Sequence, residues 1–197
     1  MTKAEKTKNF IVEQTAAIFN MKGYAGTSLT DLTEATGLTK GSIYGNFANK
    51  DEVALAVYDY NLARLEDGIK AAVATGTTAT DKLLKMANFY RANFKNSMTR
   101  GGCPILNTAV EADDTHPGLK DKAAKSFTAW KKNIESIVKQ GIAANEIKAG
   151  VSASEFATTF IALIEGGNVL AKATGSSTMM FTCIDRIEQM INTELKA

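Results

Sequence analysis

The sequence predicts an all-α protein, and three observations carry that prediction. Only 2 of its 197 residues are proline. Long stretches are dominated by Ala, Leu, Lys and Glu, which favour helix. No strand-like alternation longer than about four residues stands between turn signals. With 45% hydrophobic and 22% charged residues, the chain can bury a real core and is neither disordered nor fibrous. Aromatic residues make up only 8%, which argues against a carbohydrate-stacking surface.

The elements follow in order. A first helix is predicted over 3–21, presenting Phe10, Ile11, Ala17, Ile18 and Met21 at helical spacing, with Gly23 just past its end. Two short helices follow at 29–36 and 40–47, separated by Gly37-Leu38-Thr39, with Thr39 as N-cap of the second. Asn49 or Lys50 opens a long helix whose first turn holds Asp51 and Glu52, where the helix dipole favours acids, and whose apolar stripe is Val53, Val57, Tyr60 and Leu65. After a polar break at 75–80, a helix over 81–97 runs through Leu83, Leu84, Ala87, Tyr90 and Phe94. Pro104 starts a short helix to Ala112, and Pro117 starts a long one to Ala144, with His116 as its N-cap. Ser152 caps a helix over 153–173, and Ser176 or Ser177 precedes the last, which is expected to run through Lys196.

The informative stretch is 27–50. Two helices of about two turns each, joined by three residues led by a glycine, form a helix-turn-helix. Leu32, Leu38, Ile43 and Phe47 pack the pair together and leave an outer face of Lys40, Ser42, Tyr44 and Asn46. These side chains, with the free N–H groups of the helix start, suit base edges and phosphates in a major groove. Net charge is only +2, but residues 1–50 hold six lysines against four acids while the remainder balances, so the whole basic excess lies in the first quarter.

Ile11, Ala16, Phe19, Gly23, Tyr24 and Thr27, followed by LTKGSIYGNFANKDEV from Leu38 to Val53, resemble the N-terminal domain of the TetR/AcrR repressor family. The resemblance implies a dimeric, all-helical transcriptional regulator of double-stranded operator DNA. Residues 1–50 would form the DNA-binding domain, and residues 51–197 a helical domain for dimerisation and for a small-molecule inducer. By position it gives Thr39 and Tyr44 to phosphates, Lys40, Gly41 and Ser42 to the base-reading end, and Lys50 to a phosphate anchor, and it adds Thr27 to the DNA-binding set. Asn46 stands where the family commonly has His, and Gly45 where it has an aromatic residue. Thr33 and Thr36 replace small apolar residues.

Beyond the helix-turn-helix, Phe89, Tyr90, Phe94, Trp130 and Phe160, with Met86, Met98, Phe127 and Phe156, supply more large apolar surface than a slim bundle needs. They suit either a pocket between helices or plain core packing. Candidate ligand-orienting groups are Asn93, Asn107, Thr108 and Glu111, and Cys103 joins the ligand set at a helix start, read either as a thiol sensor or as a small buried hydrophobe. Apolar residues surround the helix over 153–173 and stripe the last one, which predicts a homodimer formed through 153–196.

Other functions are disfavoured by what is missing. A di-metal carboxylate bundle needs a Glu-x-x-His on each of two helices, and the chain has one histidine. Glu111-Asp113-Asp114-His116 lacks the spacing of a metal site and reads as a solvated helix end. No G-x-S-x-G elbow, Walker A or G-x-G-x-x-G occurs, so no enzyme and no cofactor is expected. A ligand-binding module that never touches DNA would share the later helices but leave Lys40, Tyr44 and Lys50 without a task. Two cysteines make no disulfide framework and point to the reducing cytoplasm. Glu13 and Gln14 interrupt the apolar run after Phe10, so no signal peptide is read, and Glu165-Gly166-Gly167-Asn168 breaks the most apolar window before the ~20 residues of a membrane span.

Overall fold

The computed structural model describes residues 1–197. It contains nine α-helices: α1 (Lys3–Gly26), α2 (Leu29–Thr36), α3 (Lys40–Tyr44), α4 (Lys50–Ala74), α5 (Ala79–Thr99), α6 (Pro104–Ala112), α7 (Pro117–Ala143), α8 (Ala153–Thr174) and α9 (Ser177–Gln189). A π-helical segment, Met190–Leu195, ends the chain. The fold is all-α, as the composition predicts. Two compact units form, one from Met1–Leu65 with Arg100–Ala124, the other from Glu66–Thr99 with Lys125–Ala197. The unit holding the helix-turn-helix therefore runs past the expected boundary at residue 50: it takes in α4 as far as Leu65, all of α6 and the start of α7, with Val53, Val57, Ala112 and Leu119 in its core.

In the first unit, α1 opens with a capping box: Thr2 accepts from the Glu5 amide and Glu5 accepts from the Thr2 amide. Its buried face is Ile11, Val12, Thr15, Ala16 and Phe19. That stripe is rotated from the expected one, and Phe10 and Met21 are exposed. Thr15 is tolerated in the interior because its hydroxyl donates to the Ile11 carbonyl at 2.7 Å. The helix breaks at Gly23, whose φ of 73° is left-handed, then continues to Gly26. α2 begins at a second capping box, Ser28 with Asp31. It stops at Gly37, φ 65°, whose N–H donates to the Thr33 carbonyl at 2.9 Å.

The expected helix over 40–47 is shorter, ending at Tyr44. The Asn46 side chain donates to the Ser42 carbonyl at 2.8 Å, taking the acceptor that a continuing helix would offer to the Asn46 main chain. The Ile43 carbonyl then receives both the Asn46 and Phe47 amides. Leu32, Ile43 and Phe47 are buried with Val53, Ala54, Val57 and Tyr58 of α4, Ala112 of α6 and Leu119 of α7. Asn49 precedes α4 and accepts from the Glu52 amide at 2.9 Å, while the Glu52 carboxylate accepts from the Ala48 amide at 2.6 Å. His116 caps α7 through Nδ1, which accepts from the Leu119 amide at 3.1 Å.

In the second unit, α8 and α9 pack closely. Met180 and Cys183 of α9 lie where a side chain on Gly167 would stand, whereas Gly166 faces open space. The core includes Leu83, Met86 and Tyr90 of α5, Trp130, Ile134 and Val138 of α7, Phe156, Phe160 and Ile164 of α8, and Met180, Ile184 and Ile187 of α9. The last helix does not continue regularly to Lys196 as expected. It widens after Gln189, and the end of the chain pairs with the segment before α8: Lys148 N–H donates to the Leu195 carbonyl at 2.9 Å and Ala197 N–H to the Glu146 carbonyl at 3.2 Å. The wider turn keeps Met190, Ile191 and Leu195 buried while making those bonds.

Candidate nucleic-acid interface

Helix α3 is placed by Ile43, which is fully buried, and started by Thr39, whose hydroxyl accepts from the Ser42 amide at 3.2 Å. Thr39, Lys40 and Gly41 are exposed around the helix start. Ser42 and Tyr44 are half-buried, and the Tyr44 ring leans on the core. Asn46 sits beside them with its amide tied to Ser42. The structure thus brings Thr39, Lys40, Gly41, Ser42, Tyr44 and Asn46 onto one short element. Thr27 is instead fully buried, and its hydroxyl donates to the Gly23 carbonyl at 2.6 Å. It fastens the break at the end of α1, since a side chain with no exposed surface cannot meet a phosphate.

Lys50 opens α4 with its ammonium 4.4 Å from the centre of the Tyr24 ring. The Tyr24 hydroxyl donates to Asp51. That bond, with burial and the Asp51 charge, pushes the phenol up to about 12, because it stabilises the protonated form. The Tyr24 and His116 rings meet edge to face at 4.7 Å, and His116 Nε2 lies 4.0 Å from Asp51 Oδ1. In the α2 capping box, Asp31 accepts from Lys22 Nζ at 2.5 Å and from the Ser28 amide and hydroxyl at 2.7 Å each. Lys22, then Ser28, holds this carboxyl well below the usual carboxylate range. Glu52 is also lowered, first by the Ala48 amide and also by Lys8.

The candidate ligand residues divide between the units. Tyr90 packs against Phe89 at 5.6 Å and Trp130 at 5.7 Å in the second unit, and Trp130 stacks near Phe127 at 6.4 Å. Trp130 is only 7% exposed, yet its Nε1 has no hydrogen-bond partner. Phe94 meets Phe181 edge to face, whereas Phe160 lies deep in the core against Phe156. Cys103, Asn107 and Glu111 belong to the first unit. Cys103 is buried. Asn107 donates to the Gly101 carbonyl and to Asn20, and Asn20 donates to the Arg100 and Gly102 carbonyls, so these two amides fix the turn before α6. Glu111 accepts from the Tyr24 and Ala25 amides at 2.7 and 2.8 Å.

Sequence reasoning missed the Glu111 clamp and the Tyr24-Asp51-His116 cluster. The partners lie up to 92 positions apart, Tyr24 and His116 being the most distant, and no local spacing signals them. The Ser28-x-x-Asp31 box was available as a local signal.

Two family models match this chain. Residues 11–57 match "Bacterial regulatory proteins, tetR family", and residues 79–187 match "Tetracyclin repressor-like, C-terminal domain". The chain belongs to the TetR family of transcriptional regulators. A TetR-family regulator from Cytophaga hutchinsonii is similar over 100% of this chain and 98% of its own, at 42% identity and a TM-score of 0.94. A TetR regulator from Chloroflexus aurantiacus J-10-FL is similar over 100% and 99%, at 34% identity and a TM-score of 0.95. Among curated relatives, the "HTH-type transcriptional repressor DhaR" of Mycobacterium sp. (strain GP1) is 23% identical over 81% of this chain and 79% of its own. As a TetR-family member the protein is a DNA-binding transcriptional regulator, with the helix-turn-helix in its N-terminal helices and a helical bundle beyond. No group of three or more histidine, cysteine, aspartate or glutamate side chains is arranged to hold a metal ion, and no helix is long and apolar enough to cross a membrane.

Proposed function

We propose that this TetR-family protein is a cytoplasmic repressor that binds a two-fold-symmetric operator as a homodimer and is released by a small-molecule inducer. DNA contacts are assigned to residues 1–50, with Lys40, Gly41 and Ser42 reading bases and Thr39, Tyr44 and Lys50 holding phosphates. The observation that carries this is the start of α3: Thr39, Lys40 and Gly41 are exposed on a helix that buried Ile43 seats against the core. Repression is supported by the name of the Mycobacterium relative.

Residues 51–197 are assigned to the inducer and the dimer. The aromatic cluster of Phe89, Tyr90 and Trp130 supports a mostly apolar ligand, and the buried, unpartnered Trp130 Nε1 supports one that carries a hydrogen-bond acceptor. Large apolar side chains at Val169, Leu170 and Met179 support a dimer through 153–196. Ile164 and Ile187, which the apolar stripes alone offer as interface residues, are fully buried within the single chain.

Selection of duplexes from a random pool tests the DNA reading. A palindromic consensus of two half-sites is expected, and enrichment of no sequence over the starting pool would refute it. Inducer coupling is reciprocal: saturating operator must weaken ligand binding by the same factor by which ligand weakens operator binding.

A further inference from the structure

In the first unit, one aromatic ring joins three elements. The face of Tyr24 carries the Lys50 ammonium, its hydroxyl donates to Asp51 beside it on α4, and its ring meets that of His116, before α7, at a steep angle. The ring face orients a lysine that makes no ion pair of its own. A free lysine chain loses much rotamer entropy when it docks on a phosphate, and a ring that already holds the ammonium reduces that loss.

The main chain under this ring is held from α6. Both Glu111 oxygens are used, one on the Tyr24 amide and one on the Ala25 amide. A carboxylate accepting two adjacent amides is a charge-assisted, two-point contact, which fixes the direction of the peptide as well as its position. The site is built around it. Gly23 has a left-handed φ that turns these amides towards α6, and the Glu111 carboxyl occupies the space where a Cβ at residue 23 would stand.

We propose that Glu111 is a positioning residue for DNA binding: by clamping the Tyr24 and Ala25 amides it fixes the ring that aims Lys50 at the DNA backbone. It touches no DNA itself. One side chain of α6 thereby sets the geometry of a phosphate anchor on α4. This rests on Lys50 contacting a phosphate, as in the function proposed above.

The test measures binding to one fixed duplex between 50 and 200 mM salt for the full-length wild type, K50A, E111Q and the double variant. Gln keeps the size of Glu but turns one acceptor into a donor that faces an amide N–H. Losing one phosphate contact lowers the slope of log affinity against log salt by about 0.9. K50A is expected to show that loss, E111Q a comparable one, and the double variant no more than K50A alone. A K50A slope equal to wild type would remove Lys50 from the DNA contacts and with it the reading on which the proposal rests. A reduced K50A slope beside a wild-type E111Q slope, or losses that add in the double variant, would overturn the role of Glu111 alone. If E111Q does not fold, Y24L, which leaves the clamp intact and removes the ring face, carries the comparison. A folded Y24L with a wild-type slope overturns the proposal.

Discussion

The Asn46 side-chain amide donates to the Ser42 carbonyl at 2.8 Å, so the residue that stands at the end of the reading helix is bound back onto it. Asn46 thus ends α3 by taking the carbonyl that the next helical turn would use. Asn46→Ala should cost about 0.5–1.5 kcal/mol of stability, the net worth of one hydrogen bond, and weaken all duplex sequences about equally. Ser42→Ala should instead change preference at particular base pairs. Binding to a panel of single-base operator variants decides the matter: a change of preference in the Asn46 variant would make that residue a base reader after all.

Asp31 gives the N-terminal unit an acid sensitivity whose sign is fixed by its surroundings. Lys22 and Ser28 lower its carboxyl from an ordinary 3.8, so the folded form holds the carboxylate where the unfolded chain has begun to take up protons. The resulting stability is present above about pH 4 and is lost as the pH falls through the depressed folded value. Glu52, lowered by the Ala48 amide and by Lys8, acts in the same direction. Asp31→Asn should lower the melting temperature at neutral pH and flatten its fall below pH 4. A wild type and variant with parallel melting curves across that range would show that the capping box contributes nothing through charge.

Gly23 and Gly37 share a positive φ, 73° and 65°, but differ in ψ, 178° against 10°, and in what surrounds them. Nothing lies within 4 Å of a Cβ built on Gly37, whereas one built on Gly23 meets the Glu111 carboxyl. Gly37→Ala should therefore cost only the backbone strain of about 1–2 kcal/mol. Gly23→Ala should cost more, because a ψ of 178° at positive φ is open to almost no residue but glycine and because the added Cβ displaces the clamp on the Tyr24 and Ala25 amides. Urea unfolding of both variants tests the order, and equal losses would overturn it.

Much of this architecture was legible locally. Ser28, Gly37, Thr39, Pro104, Pro117 and Ser152 mark helix ends by chemistry confined to a few residues: α2 begins and ends, and α6 begins, where those residues place them. The early end of α3 turns on a side chain competing with the main chain for one carbonyl, and the sequence shows the asparagine but not which acceptor it takes. The Glu111 clamp joins residues 87 apart, and the widened last turn exists because the chain end pairs with 146–148. Apolar periodicity says that a face is covered, not by what. For that reason the stripes of α8 and α9 did not separate Ile164 and Ile187, which the chain buries itself, from Val169, Leu170 and Met179, which it leaves in solvent.

That separation sharpens the dimer prediction. Val169 and Leu170 on α8 are 49% and 47% exposed and Met179 on α9 is 41% exposed, in two helices that pack closely on each other. One short reading helix covers few base pairs, and two-fold pairing sets two of them about 34–36 Å apart along the duplex. Linking the heads can raise operator affinity about a hundredfold or more without a new contact. Leu170→Glu places a charge in solvent in the isolated chain, where such surface changes stay within about 0.5 kcal/mol, but buries it unpaired between two copies. The variant should therefore fold with wild-type helix content, sediment as a monomer and lose about a hundredfold in operator affinity. Ile164→Asp should behave differently, losing the folded state itself, because its charge enters the chain's own core. A Leu170→Glu protein that still sediments as a dimer would move the interface elsewhere. A wild-type monomer at micromolar concentration with full operator affinity would remove the need for one.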